Sequence, residues 1–333
     1  VARILTGDSM VNSVRKRTMT PEDTSTFTDD DILDIIDEEL NVQVIDKLLT
    51  LHGENLTIEV DVPRDASGCY TIPYRAVGNK LRDISLISGN TIYEMAQISI
   101  GELPDYTYGE YASNDLDKFY VQNNKINLVE PNRSYESIRV RYYLRPNFLT
   151  KMDKAGVISA APLESIYTDP DPEIATQTEA YTIKLSSVGK GFTSTDLYDI
   201  VGHKSPNKIK TFDIVPLSFT KSGTTGTIIF AKSDIEGIIN DIQVGDYVTI
   251  AQETPVPNIP TEMHPLLAQA AAVNILESLT DTEALANAER RMEKMTKAVQ
   301  SLIDDRVELA PKKIKPRHGT LASGWGLNNR GKY

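Results

Sequence analysis

The sequence predicts an α+β protein: a helical bundle made from both chain ends, a large antiparallel β-rich insertion between them, and flexible basic N- and C-terminal arms. Three observations predict it. An apolar stripe at helical spacing follows Thr28. Short alternating segments punctuated by turn residues fill 54–257. A second pair of helical patterns begins at Pro265.

Residues 1–27 read as an arm, rich in Thr, Ser and charge and without a lasting period. Thr28 is placed to cap a helix, and Asp29, Asp30 and Asp31 put negative charge on its first turn, where the helix dipole favours it. That explains the Asp triplet better than a metal site does. Ile32, Ile36, Leu40, Val44 and Leu48 then recur every four residues, and Gly53 ends the pattern.

After Gly53 the period changes from helical to alternating. Residues 57–62 read as a strand. Leu81–Ile87 and Thr91–Met95 flank Ser88-Gly89-Asn90 as a hairpin, and Phe119–Val121 and Ile126–Val129 flank Asn123-Asn124 as a second. Ile138, Val140, Tyr142 and Leu144 alternate with Arg139, Arg141 and Tyr143 in a half-buried strand. Residues 147–180 read as loop. Strands recur at Tyr181–Leu185, Lys208–Val215, Thr227–Ala231 and Tyr247–Ile250, with a short helix over Ser233–Ile242, so that 54–257 divides into two sub-modules.

Residues 28–53 and 258–308 supply the bundle. Pro265 suits the first position of a helix. Thr280 and Glu283 have capping-box spacing for the next one. Leu285, Ala288, Met292, Met295, Val299 and Leu302 step by three and four, a seam that packs against the chain's own helices. Residues 309–333 form a tail with several glycines and the lone tryptophan, Trp325.

The chain has 333 residues, which allows two domains or one domain with a large insertion. No apolar run approaches the roughly 20 residues of a membrane span, and no leader pattern for secretion opens the chain. Cys69 is the single cysteine, which excludes an intrachain disulfide and thiolate metal sites and suits a reducing cytoplasm. The net charge is −12 and unevenly spread. Residues 1–17 hold four cations and one anion. Residues 309–333 hold six cations (Lys312, Lys313, Lys315, Arg317, Arg330 and Lys332) and no carboxylate. An acidic body thus carries basic ends, suited to partner surfaces of opposite charge.

The signatures of catalysis do not appear. The four histidines have no metal-ligand spacing, and His264, before Pro265, reads as a capping or packing residue. Gly189-Lys190-Gly191 lacks the spacing of a phosphate loop, and neither a nucleophile elbow nor a dinucleotide fingerprint is present. The reading is therefore a protein that is not an enzyme and needs no cofactor or metal. Trp325 on a basic tail could stack on a nucleobase, but the acidic body argues against tight nucleic-acid binding.

Three stretches carry a resemblance. The helix from Thr28, with Asp31-Ile32-Leu33 and Glu38-Glu39-Leu40, resembles the opening helix of head-to-tail adaptor proteins of tailed bacteriophages. The run from Tyr70 through Ile72, Pro73, Arg75, Ala76, Gly78 and Leu81 to Arg82-Asp83 is similar to a stretch of phage neck proteins. Ile259-Pro260 through His264-Pro265, followed by Arg306-Val307 and Pro311-Lys312-Lys313-Ile314, is similar to their C-terminal helical hairpin and basic exit. The resemblance implies a structural virion protein of the head–tail junction, assembled in the bacterial cytoplasm. It implies a homo-oligomeric ring of about twelve copies beneath the portal, joining it to tail, nozzle or further neck proteins, with DNA passing through without tight binding and no membrane involved. It places portal docking on Lys312, Lys313, Lys315, Arg317, Trp325 and Arg330. Helical packing and ring formation fall to Ile32, Ile36, Leu40, Met292, Met295 and Val299. A nozzle, baseplate or tail-completion ring subunit is the alternative, and a tail-associated glycan hydrolase, with a carboxylate pair in a cleft of 54–257, is a third.

Overall fold

The first helix lies where the sequence suggests an arm. The computed structural model describes residues 4–20, 26–88, 91–103, 118–129, 137–169 and 177–303. Helix α1 (Gly7–Thr18) is capped by Thr6, whose hydroxyl accepts from the Ser9 N–H, and it buries Met10, Val11 and Val14. Three apolar residues on one face suffice because neighbours hold both ends. The Gly7 N–H donates to the Pro255 carbonyl at 2.8 Å, and Arg17 donates to Gln269 Oε1 at 2.5 Å. Gly7 permits this approach, since a Cβ there would sit 2.1 Å from the Thr150 carbonyl oxygen.

Helix α2 (Asp29–Glu39) opens on a reciprocal cap. Thr28 Oγ1 accepts from the Asp31 N–H at 3.2 Å, and Asp31 Oδ2 accepts from the Thr28 N–H at 2.7 Å. Thr28→Ala is expected to cost about 1 kcal/mol in urea unfolding, and an unchanged midpoint would deny the cap that role. A π-helical turn over Leu40–Val44 leads into α3 (Ile45–His52). A four-residue repeat drifts around an ideal helix of 3.6 residues per turn. The wider turn absorbs the drift, so Ile32, Ile36, Leu40, Val44 and Leu48 all stay buried. At the other end of the chain, α4 (His264–Ser278) is buried on most sides, and α5 (Thr282–Ile303) turns back across it. Asp281, rather than Thr280, caps α5 by accepting from the Ala284 N–H at 3.0 Å. Thr280 is spent on a left-handed turn (φ +57°) that closes α4.

The strands are β1 (Thr57–Pro63), β2 (Tyr70–Thr71), β3 (Ala76–Ser88), β4 (Thr91–Glu94), β5 (Ala96–Gln97), β6 (Lys118–Gln122), β7 (Lys125–Leu128), β8 (Ser137–Leu144) and β9 (Phe148–Leu149), followed by β10 (Gly156–Ile158), β11 (Leu163–Thr168), β12 (Gln177–Ser187), β13 (Tyr198–Val201), β14 (Ile209–Ile214), β15 (Pro216–Ser222), β16 (Thr225–Ala231), β17 (Tyr247–Ile250) and β18 (Glu253–Thr254). A first sheet has the order β1-β8-β3-β4 and a second β2-β7-β6-β5. They share a core around Tyr70, Ile84, Ile126, Val140 and Tyr142. The β6–β7 turn places Asn123 and Asn124 both at positive φ (52° and 60°), the geometry a tight hairpin requires. On the outer face of the first sheet Arg139 pairs with Asp61 and Arg141 with Glu59, each across the β1–β8 register. A third, larger sheet runs β14-β13-β17-β10-β12-β16-β15, with β11 also on β12, over Ile183, Tyr198, Phe230 and Val248.

The expected helical bundle from both chain ends, with the β region inserted into it, is corrected by this arrangement. Strand makes up 36% and helix 35%, so several sheets, not a bundle, organise the protein, within the broad α+β class. The β region is not appended to a finished helical unit either. The parallel pair β9–β18 lies against α2, and Leu149 of β9 and Ile259 pack into the core that the helices share. The loop expected over 147–180 contains β9, β10, β11 and the start of β12, and β13 and β15 extend the sheet further. The helix expected over Ser233–Ile242 shortens to one turn at Lys232–Ile235 with a 3₁₀ turn after it. Among the described residues no helix is long and apolar enough to cross a membrane.

Candidate functional site

Among the described residues the most elaborate polar assembly is centred on Arg75, between β2 and β3. Its side chain is 3% exposed. Nη1 and Nη2 donate to the two carboxylate oxygens of Asp199 at 2.8 and 3.0 Å, the two-pronged geometry that suits a guanidinium. Nη2 also donates to Asp213 Oδ1 at 2.5 Å, and Nη1 to Asn147 Oδ1 at 3.1 Å. Asp199 lies on β13 of the third sheet and is fully buried. It accepts three further bonds, from Asn147 Nδ2 (2.6 Å), the Asp213 N–H (3.0 Å) and the Gln252 N–H (3.0 Å). Asp213 takes positive φ (57°), and from there its N–H reaches Asp199 while its carboxylate reaches Arg75. Tyr74 donates its hydroxyl to Asp213 Oδ2 at 2.6 Å. Burial alone would weaken the Arg75 charge. Hydrogen bonds and attraction from Asp199, with Tyr74 and Asp213, outweigh it and hold the pKa above its ordinary value. The assembly joins the first sheet, the third sheet and the β9–β18 pair at one point.

A second buried carboxylate closes the end of the third sheet. Asp246 accepts from His203 Nδ1 at 2.7 Å, Lys210 Nζ at 2.6 Å and the N–H groups of His203 (3.0 Å) and Gln243 (2.6 Å). Burial pushes its pKa up, but Lys210, Gln243 and His203 prevail and hold it below the usual carboxylate range. In both clusters cations and N–H groups occupy the carboxylates, so each acts as a rivet between segments rather than as a free acid or base.

A hollow of about 460 Å³ lies between α2 and the β9–β18 pair. Asp34, Asp37, Phe148, Lys151, Lys154 and Glu253 line it. Asp37 is 7% exposed, and both its oxygens lie 2.9 Å from the Leu149 nitrogen. Burial raises its pKa to about 7, with the Leu149 N–H opposing and Asp34 adding to the rise. Burial likewise raises Glu253, against Lys154. Among the described residues no three His, Cys, Asp or Glu side chains are grouped so as to hold a metal ion.

The residues singled out from the sequence fall into two sets. Ile32 and Ile36 on α2, Leu40 at the start of the π-helical turn, and Met292, Met295 and Val299 on α5 all face the shared helical core, with the two methionines only partly buried. Leu302 departs from the expected seam. It is exposed, and Ile303 takes the buried place. Lys312, Lys313, Lys315, Arg317, Trp325 and Arg330 lie outside the described residues. His264 is a packing residue: it is fully buried, its Nδ1 accepts from the Leu5 N–H at 3.1 Å, and burial lowers its pKa to about 4.

The sequence reading did not single out Asp37, Asp199, Asp213 or Asp246. A signal existed for two of them. Asp199 in Tyr198-Asp-Ile-Val201 and Asp213 in Phe212-Asp-Ile-Val215 each interrupt an apolar run, and a charge so placed needs a buried partner. No protein-family model matches the chain, and no curated protein matches it in sequence either.

Proposed function

We propose that the chain is a structural virion protein, an adaptor that forms a ring beneath the portal of a tailed bacteriophage and joins it to the tail. The observation that carries this reading is the division of charge. Residues 309–333 hold six cations and no carboxylate on a chain whose net charge is −12. A basic tail on an acidic body is drawn to an acidic partner, while the body repels DNA and lets it pass. The root of the tail also suits docking. Gln269 on α4 accepts from Arg17 and donates to the Ala288 carbonyl at 3.2 Å, which ties α1, α4 and α5 together. Val299 and Ile303 then hold the last turns of α5 in the core, ahead of residues 309–333 in the sequence. The rivets at Arg75 and Asp246 suit a subunit that bears load.

The test is a pull-down on the portal of the same phage, with electron microscopy, using the chain with and without residues 309–333. The full chain is expected to form a ring on the narrow end of the portal. Truncation is expected to abolish that ring, and rising salt to weaken it. Full-length protein that ignores portal and binds only tail components would move the reading to a nozzle or baseplate ring.

A further inference from the structure

A small hollow of about 60 Å³ lies where the turn before β1, the end of β8 and the start of β14 meet. Its floor is apolar, with Ile58, Leu144 and Ile209. Its polar rim brings together Asn55, Arg145, Lys208 and Asn258. Arg145 and Lys208 are both exposed, and neither has a carboxylate within ion-pair distance among the described residues. Asn55 beside them makes no side-chain hydrogen bond among those residues. Asn258, by contrast, is fully used: its Nδ2 donates to the Asn207 carbonyl at 2.7 Å and its Oδ1 accepts from the Asn147 N–H at 3.1 Å. Among the described residues no carboxylate lines the hollow, although carboxylates outnumber cations 47 to 35 along the chain. The Arg145 backbone is held in place, since its N–H donates to the Arg75 carbonyl at 2.8 Å.

Two cations and an amide without partners among the described residues, set over an apolar floor, suit a carboxylate on a short aliphatic stem. The volume decides how it arrives. Pockets that enclose free small molecules hold roughly 300–1,000 Å³, so a metabolite here would remain largely in water. A side chain delivered as part of a larger contact pays no separate association cost. The charge of the chain indicates its source. Copies at −12 repel one another, and head-to-tail contacts between them need points of opposite sign. We infer that the Arg145–Lys208 hollow is a docking notch for an Asp or Glu side chain of a neighbouring copy in the ring. This rests on the ring-forming reading above.

The test mixes isotopically light and heavy copies of the full chain, treats them with a carbodiimide that joins amines to carboxylates in contact, and maps the cross-links by mass spectrometry. A light-to-heavy link from Lys208 to an Asp or Glu is expected. Sedimentation of Arg145→Glu/Lys208→Glu, whose substituted side chains are exposed, is expected to show self-association weakened roughly tenfold or more, with an unchanged melting temperature. Copies that associate with no inter-copy link at Lys208, and indifferently to the reversal, would overturn the notch and leave the ring reading standing. Copies that never associate would overturn both. When portal is added to the same mixture, a link from Lys208 to portal carboxylates alone would overturn the inference of a neighbouring copy and keep the adaptor.

Discussion

Replacing Arg75 with alanine is expected to lower the free energy of unfolding by about 3–5 kcal/mol, the usual cost of removing one partner from a buried ion group. Asp199 has no exposure with which to recover water. Without the guanidinium its carboxylate keeps only Asn147 and the N–H groups of Asp213 and Gln252, with the Asp213 charge beside it uncompensated. Arg75→Lys keeps the charge but not the fork that reaches Asp199, Asp213 and Asn147 together, so it should recover only part of the loss. The triple change Arg75→Met/Asp199→Asn/Asp213→Asn should be milder than Arg75→Ala, because it leaves no unpaired buried charge. Urea unfolding of the variants checks this order. A loss under about 1 kcal/mol for Arg75→Ala would mean that the sheets are held together elsewhere.

The sequence made the elements legible wherever one period dominated. The four-residue stripe after Thr28 gave α2 and α3, because a single apolar face is enough to mark a helix. Alternation gave β8, whose Ile138, Val140, Tyr142 and Leu144 are buried as the period of two requires. What the pattern could not give was which elements share a core. Leu149 and Ile259 look like any apolar residue in a loop, yet both lie among the helices. The insertion picture failed for that reason: it assumed that residues near in sequence pack together. Met10, Val11 and Val14 were hidden in the same way, since three apolar positions among Thr, Ser and charge make a helix only once α4 covers them. The site residues show the same division. Asp199 and Asp213 each place a charge in an apolar run, a signal that went unused, and their common partner, Arg75, lies 124 and 138 positions away. Asp37 carried no mark at all in a helix already crowded with acids.

Asp37 also has the larger consequence for pH. Folding raises its pKa from the ordinary carboxylate range to about 7, chiefly by burial. The folded protein therefore holds this proton more tightly than the unfolded chain does. The stability linked to it is fully present below about pH 4 and is lost as the pH rises through about 7. Asp34 on α2, Lys151 and Lys154 after β9, and Glu253 on β18 face the same hollow and are unchanged by a substitution at Asp37. His264 works in the opposite sense. Its pKa falls to about 4 on burial, so its contribution is lost as the pH falls from about 6.5 towards 4. Asp37→Asn keeps an acceptor for the Leu149 N–H and removes the titration. Between pH 5 and pH 8 the unsubstituted protein is expected to lose about 2–3 kcal/mol relative to this variant, with the variant the more stable of the two at pH 8. Thermal unfolding of both proteins at the two pH values isolates the effect, because His264 and Glu253 contribute equally to each. Parallel pH profiles would show that the carboxylate keeps its charge in the fold, with the Leu149 N–H and the nearby lysines offsetting its burial.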